Sequence, residues 1–228
     1  MHSFMHGHNK GTHAGSTQGF VLNWGWRYDL MLWFGNLMAR GKWREAQRKA
    51  VDLARFQSGE TVLDVGCGTG TLTLEACARV GSTGRVSGID PGPKQIARAR
   101  QKAARRGLPI DFQVGVIERL PFPAKSFDAV LSTLMMHVLP DDLKRQGLSE
   151  IARVLKPGGR LLVVDTMRPA KEQGNSEQLV HIGPFNSGVQ DQPRLMKEAG
   201  FSQIESGEIT TGARWIPGMG FALGRISK

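Results

Sequence analysis

Val62-Leu63-Asp64-Val65-Gly66-Cys67-Gly68-Thr69-Gly70-Thr71-Leu72 is the stretch whose reading decides the fold. Residues 62–65 are mostly apolar and read as a strand buried on both faces; three glycines at alternate positions then turn the chain into a helical pattern over 71–79. Glycine leaves no side chain between backbone and ligand and accepts positive φ, so such a turn suits close approach to a nucleotide-like molecule. The start of the following helix offers free N–H groups and a positive dipole end, which favour a carboxylate or phosphate. A plain structural corner is the other reading of the turn, and the rest of the chain separates the two.

Outward from this unit the chain alternates. Strand-like runs stand at 61–65, 85–89, 110–114, 127–132 and 160–165, with helical patterns between most of them. The pattern over 93–106 has Pro93 at its start and Gly107 just past its end, the usual asymmetry of helix termini. Another helix over 141–155 is stopped by Lys156-Pro157-Gly158-Gly159. Such alternation predicts a parallel sheet covered by helices on both faces, with ligands at the carboxyl ends of the central strands. After residue 165 the sequence reads as a loop over 166–191 and a short helix over 192–199. Two last strands over 201–209 and 216–226 are expected as antiparallel neighbours at the sheet edge.

The part before the glycine turn has a different character. Residues 1–19 carry His2, His6, His8 and His13 among glycines and polar residues, a pattern of a disordered tail; no metal is expected there. Residues 20–56 are aromatic and basic, with Trp24, Trp26, Tyr28, Trp33, Phe34 and Trp43 followed by Arg40, Lys42, Arg44, Arg48, Lys49 and Arg55. Leu30, Trp33, Phe34, Leu37 and Met38 recur at three- and four-residue steps, which predicts a helix with one greasy face. That helix reads either as a layer or lid over a hydrophobic substrate or as a surface for lipid headgroups. The domain division expected is a tail at 1–19, a helical lid at 20–56 and a ligand-binding domain at 57–228.

Composition bounds the partners. The 228 residues, 40% hydrophobic and 22% charged, suffice for one good core. A net charge of +10 and a pI of about 10.1 favour anionic partners, namely nucleic acid, an acidic membrane surface or an anionic substrate, unless the basic surface is merely solubilising. Cys67 and Cys77 are the only cysteines, so no disulfide framework is implied and a reduced, cytoplasmic setting with room for membrane association is expected. The first nineteen residues lack the apolar core of a signal peptide, and the apolar run over 30–39 is too short to span a bilayer.

The ligand of the turn is narrowed by spacing. A dinucleotide fingerprint needs G-x-G-x-x-G, whereas the third glycine here comes one residue early, which counts against a nicotinamide cofactor. Asp90, some twenty residues on at the end of the second strand, is placed to accept hydrogen bonds from ribose hydroxyls, so a nucleoside is still expected.

At these residues the chain resembles the class I S-adenosylmethionine-dependent methyltransferases. The resemblance rests on Leu63-Asp64-Val65-Gly66-Cys67-Gly68-Thr69-Gly70, Gly88-Ile89-Asp90, Leu120-Pro121-Phe122 with Ser126-Phe127-Asp128, and Arg153-Val154-Leu155-Lys156-Pro157-Gly158-Gly159, in the family's order. Arg27-Tyr28-Asp29-Leu30-Met31 is similar to a tyrosine-aspartate segment of the subgroup that holds quinone, phospholipid and small-molecule methyltransferases. The resemblance implies a Rossmann-like fold with a seven-stranded, mainly parallel sheet and an N-terminal helical lid, and S-adenosyl-L-methionine as cofactor. It implies that Gly66, Cys67 and Gly68 lie against the methionine part of the cofactor, that Asp64 orients the loop, and that Asp90 holds the ribose. Pro91 and Gln95 would border the adenine, with the backbone of Val116 and Ile117 and with Glu118 beside it. The chain has Gly115-Val116-Ile117-Glu118 where the family's usual pattern is Gly-Asp-Ala-Glu, so a carboxylate is missing at Val116. Ser132 and Thr133 would stand on the wall between cofactor and acceptor.

The implied reaction is an in-line displacement on an activated methyl group, in which alignment and desolvation supply most of the acceleration. His137 and Tyr28 are the catalytic candidates, His137 because its ordinary pKa suits a base; packing under the helix or hydrogen-bonding a neighbouring loop is its bland alternative. His181 is a second, poorer candidate. The aromatic segment favours a lipophilic small molecule or lipid headgroup as acceptor, with RNA as runner-up and a non-catalytic cofactor-binding protein as a further alternative. The basic run Lys94, Arg98, Arg100, Lys102, Arg105 and Arg106 reads as a solvated face first and as a contact for anionic lipid or nucleic acid second.

Overall fold

The computed structural model describes residues 17, 19–168, 188–210 and 218–227. The histidine tail at 1–16, His181 and most of the loop expected over 166–191 lie outside the described residues.

Seven strands form one sheet: β1 (Thr61–Val65), β2 (Arg85–Asp90), β3 (Asp111–Val114), β4 (Phe127–Thr133), β5 (Leu155–Thr166), β6 (Phe201–Ile209) and β7 (Met219–Ile226). Their order is β3-β2-β1-β4-β5-β7-β6. The first five are parallel, and β7 runs antiparallel to both β5 and β6. Val65 lies opposite Ile89 on one side and Ser132 on the other, so β1, β2 and β4 end level, and the chain reverses its winding direction between β1 and β4. That switch point is where an open α/β sheet makes its crevice.

The α-helices among the described residues are α1 (Trp26–Met38), α2 (Lys42–Leu53), α3 (Thr71–Val80), α4 (Pro93–Arg105), α5 (Asp141–Val154) and α6 (Gln192–Glu198). On one face Leu63, Val65, Val130, Leu161 and Val163 pack against Leu148 and Ile151 of α5 and Leu195 and Met196 of α6. On the other face Leu131, Leu162, Val164 and Leu223 meet Ala46, Ala50 and Val51 of α2 together with Leu72 of α3. The strands are apolar on both sides because both sides are covered.

Four expectations change. β5 begins at Leu155, not at 160: Leu155 pairs with Phe127, and the Lys-Pro-Gly-Gly stretch continues the strand through an irregular register between Phe127 and Ala129. The last strand begins at Met219, not at 216; β6 and β7 are antiparallel neighbours at the sheet edge as expected, with β6 outermost.

The third change concerns α1, whose greasy face does not pack on protein and none of whose residues is fully buried. Tyr28, Met31 and Leu32 look towards the cavity described below, whereas Leu30, Trp33, Phe34, Leu37 and Met38, the residues whose spacing predicted the helix, are all exposed. α2 by contrast belongs to the core, and its Trp43, Gln47 and Ala50 also line the cavity.

Last, the basic run on α4 is not simply a solvated face. Arg100 donates from Nε and Nη2 to the Phe112 carbonyl at 3.0 and 2.6 Å, and Arg98 and Lys102 turn inward to Asp29.

Candidate active site

The glycine turn sits where β1 ends. Gly66 and Cys67 both donate their backbone N–H to the Ile89 carbonyl at 2.9 Å, and Gly68 donates to Asp90 Oδ2 at 3.0 Å. These three amides are therefore committed to β2, and the N–H groups expected to suit an anion are those at the start of α3, which no side chain caps. Gly68 has φ 54°, and a Cβ built on it would find nothing nearer than Tyr28 Cε1 at 4.0 Å, so the turn is bare on its cavity side. Gly70, at φ 76°, has the opposite reason for being glycine: a Cβ there would lie 2.8 Å from Phe112 and 3.0 Å from Ala99, inside the packing of α4 on β3.

A cavity of about 380 Å³ opens at this edge of the sheet. Gly66, Cys67, Gly68 and Thr69 form its floor, and Asp90, Pro91 and Gln95 one side. Thr133, Leu134, Met135 and His137 form the other side, with Tyr28, Met31 and Leu32 of α1 above. A smaller hollow of about 40 Å³ adjoins it, lined by Val116, Ile117 and Glu118 and sharing Phe20, Gly66, Pro91, Met135 and Val138 with the larger one. Most of the residues expected around a cofactor thus come together. Asp64 and Ser132 do not reach the cavity: both are fully buried behind its floor and wall.

Three carboxyl groups set the electrostatics. Asp90 accepts from Gly68 and, through Oδ1, from Gly92 at 2.8 Å, yet burial outweighs these bonds and pushes its pKa up to about 6. Asp64 is raised further, to about 7, by burial first, opposed by the Thr73 hydroxyl at 2.6 Å and reinforced by Asp90; its Oδ1 has no partner. Asp29 moves the other way. Burial would raise it, but the Thr69 hydroxyl at 2.6 Å, Arg98 Nε at 2.6 Å and Lys102 Nζ at 3.3 Å hold it below the usual carboxylate range. Since Thr69 belongs to the glycine turn, Asp29 ties α1 to the cavity floor.

The titratable hydroxyl and thiol stay protonated. Burial, then the carboxylates of Asp90 and Asp29, push the Tyr28 phenol up, so it is a donor and not a base at neutral pH. Burial with Asp64 and Asp90 raises the Cys67 thiol well above its ordinary value, which removes it as a nucleophile.

His137 lies in the short 3₁₀ turn after β4, 7% exposed. Its Nδ1 is 2.5 Å from Asp165 Oδ1, and its backbone N–H donates to Asp165 Oδ2 at 3.0 Å. Asp165, 1% exposed at the end of β5, also accepts the Thr166 N–H at 2.7 Å. A carboxylate that only accepts puts the hydrogen of a neutral imidazole on Nδ1 and leaves the lone pair on Nε2. Asp165 was not singled out from sequence. Its signal was there, an acid closing an apolar strand at the same sheet edge as Asp90, but pairing with a residue 28 positions away is a tertiary fact.

These groups fit S-adenosylmethionine. Asp90 keeps spare lone pairs for two hydroxyls, the bare glycine floor admits a chain pressed against it, and Asp90 supplies negative potential for a sulfonium cation. Among the described residues no group of His, Cys, Asp and Glu could hold a metal ion.

Comparisons with known proteins agree with the geometry. The family described as a methyltransferase domain matches residues 62–159. Over 144 residues the chain is 38% identical to the demethylmenaquinone methyltransferase of Symbiobacterium thermophilum, covering 62% of this chain and 55% of that protein. Over 212 residues it is 29% identical to the ubiquinone/menaquinone biosynthesis C-methyltransferase of Escherichia coli, covering 82% of each. The chain spans about half the length of several other curated relatives that it matches. Among solved structures, a SAM-dependent methyltransferase from Aquifex aeolicus superposes with a TM-score of 0.65 at 21% identity, over 79% of this chain and 89% of that one. The fold is shared with that solved methyltransferase, and residues 62–159 match the methyltransferase domain family.

Proposed function

We propose that this chain transfers the methyl group of S-adenosylmethionine, by in-line displacement, to a lipophilic small molecule whose nucleophilic oxygen carries an acidic proton, a phenol or an enol. The observation that carries this reading is the His137–Asp165 pair in the wall of the cavity that also holds the glycine turn and Asp90. The bound cofactor supplies a methyl group already activated by its sulfonium. The chain's own residues hold and align.

Asp90 accepts from the ribose hydroxyls, Gly66, Cys67 and Gly68 bear on the methionine part, and Pro91, Gln95, Val116, Ile117 and Glu118 border the adenine. Ser132 and Asp64 support the wall and the turn from behind, and Thr133 faces the cavity. Tyr28 donates a hydrogen bond into the site from above. As the acceptor oxygen bonds to the methyl carbon, its O–H breaks and the proton passes to His137 Nε2, while the C–S electron pair stays on sulfur. Asp165 keeps Nδ1 protonated and steadies the imidazolium that forms. The cavity walls are mainly apolar, with Met31, Leu32, Trp43 and Leu134 among them, which excludes water and suits a greasy acceptor. Two relatives are named for demethylmenaquinone and for aklanonic acid.

The partner reading goes with this acceptor: peripheral contact with an anionic membrane from the cytoplasmic side. Nucleic acid is the weaker reading, because Arg98 and Lys102 of the basic run bond Asp29 and Arg100 bonds the Phe112 carbonyl.

A methyl-transfer screen with labelled cofactor across phenols, quinols, amines, thiols, phosphatidylethanolamine and RNA tests the reading. Turnover of a phenolic or enolic acceptor is expected, with His137→Gln and Asp165→Asn each lowering it about 100-fold or more while cofactor affinity holds. Cofactor binding without turnover of any acceptor would favour the non-catalytic reading. Unchanged turnover in His137→Gln would remove the base.

A further inference from the structure

We infer that the outer side of α1 is a docking surface for the headgroup region of an anionic lipid bilayer. Among the described residues, the exposed large hydrophobics all fall between positions 20 and 38; apart from Phe20 and Met31, which also line the cavity, they are Val21, Trp24, Trp26, Leu30, Trp33, Phe34, Leu37 and Met38. Trp33 at 61% and Met38 at 60% are as open as side chains on a free helix. Scattered single apolar residues need no explanation, but a contiguous band of this kind marks a binding surface.

Charge decides what binds. Asp29, the one acid between positions 20 and 44, is turned inward to Thr69, Arg98 and Lys102. Arg27, Arg40, Lys42 and Arg44 surround the band, and among the described residues none lies within ion-pair distance of a carboxylate. The guanidinium of Arg27 sits 5.8 Å from the Trp26 ring centre, beside the apolar band. A greasy strip rich in tryptophan and rimmed by unpaired cations complements acyl chains beneath anionic headgroups. A second copy of the chain would bring two sets of these cations together with no acid between them. No described helix is long and apolar enough to cross the bilayer, so the helix lies on it.

The same helix roofs the cavity. Tyr28, Met31 and Leu32 face inward while Trp33, Phe34 and Leu37 face outward, so the bilayer and the cavity lie on two sides of one helix. Resting on the proposed lipophilic acceptor, this arrangement lets the acceptor pass from bilayer to cavity without crossing bulk water.

Co-sedimentation of the full chain with vesicles of phosphatidylglycerol and phosphatidylcholine, in the absence of any acceptor, tests the surface independently of the chemistry. Binding is expected to need phosphatidylglycerol. Trp33→Glu combined with Leu37→Glu should weaken it about tenfold or more, and Arg40→Glu with Arg44→Glu about fivefold per cation removed. All four positions are on the surface, and unchanged S-adenosylhomocysteine affinity in the variants would report an intact fold. Equal vesicle binding by wild type and variants would overturn the inference. So would a wild-type dimer in vesicle-free solution, seen by light scattering, that the Trp33→Glu and Leu37→Glu pair turns into a monomer, because the band would then belong to a second copy. Methyl transfer to a water-soluble phenol should persist in the Trp33→Glu and Leu37→Glu variant if the acceptor reading holds, whatever becomes of docking.

Discussion

Asp90 is where residue chemistry and ligand affinity meet. Its carboxyl must be ionised to accept from two hydroxyls, and burial has brought its pKa to about 6, within reach of ordinary buffers. Affinity for S-adenosylhomocysteine is therefore expected to be flat above pH 7 and to fall towards tenfold per pH unit below about 6, where an unperturbed aspartate would hold out to about 4. Isothermal titration between pH 4.5 and 8 measures this; Asp90→Asn should be weaker by about 10- to 100-fold and lose the slope. A wild-type affinity constant down to pH 4.5 would remove Asp90 from the ribose. The role proposed for Asp90 could be read in the sequence because it depends on a short, fixed distance along one strand-turn-strand unit. That of Asp165 is not: β4 and β5 have to pair before position 165 comes beside position 137.

At the scale of elements, the attachment of α1 is the unusual feature. A helix with no buried residue gains little from packing, so its position depends on a few polar contacts. Asp29 makes the central one, bonding Thr69 of the turn and Arg98 and Lys102 of α4. Asp29→Asn keeps the shape but loses the charge, and is expected to lower unfolding stability by about 1–3 kcal/mol in urea titration. It should also weaken cofactor binding several-fold, because Thr69 loses the partner that holds it in the floor. If both quantities stayed at wild-type values, α1 would be held by something other than this clamp. The periodicity of residues 30–38 predicted that a helix forms; it did not say which way the helix faces, since apolar residues that pack on protein and those that face outward follow the same spacing.

On the scale of the whole molecule, two buried carboxyls shape the response to pH. Both Asp64 and Asp90 have folded-state pKa values above their unfolded ones, at about 7 and about 6. The folded state thus binds their protons more tightly, and the stability they contribute is complete below about pH 4 and lost as pH rises through 6 and 7. Stability should consequently increase as pH is lowered from 8 to 5, against the usual acid weakening. Asp64→Asn, which keeps an acceptor for Thr73 without a buried charge, should be more stable than wild type at pH 8 by on the order of 3 kcal/mol and close to wild type at pH 4. Urea unfolding at the two pH values decides it, and equal stability at pH 8 would mean that Asp64 is solvated or paired.

What the sequence determined by itself is the part of this protein that local rules govern. The alternation of strand and helix, the glycine turn, Asp90 at its distance from that turn and the terminal proline and glycine of α4 all act over a few residues, and they sufficed for a parallel α/β sheet with a nucleoside-type ligand expected at the turn, the methyl donor being implied by the family resemblance. The tertiary structure decided the rest. Chain reversal between β1 and β4 opens the cavity, and the pairing of β4 with β5 brings Asp165 to His137. Packing of α4 against the turn converts Arg98 and Lys102 from surface charges into a clamp. Each of these joins residues far apart in the chain, where burial and partner, not residue type, set the charge and the orientation that chemistry uses.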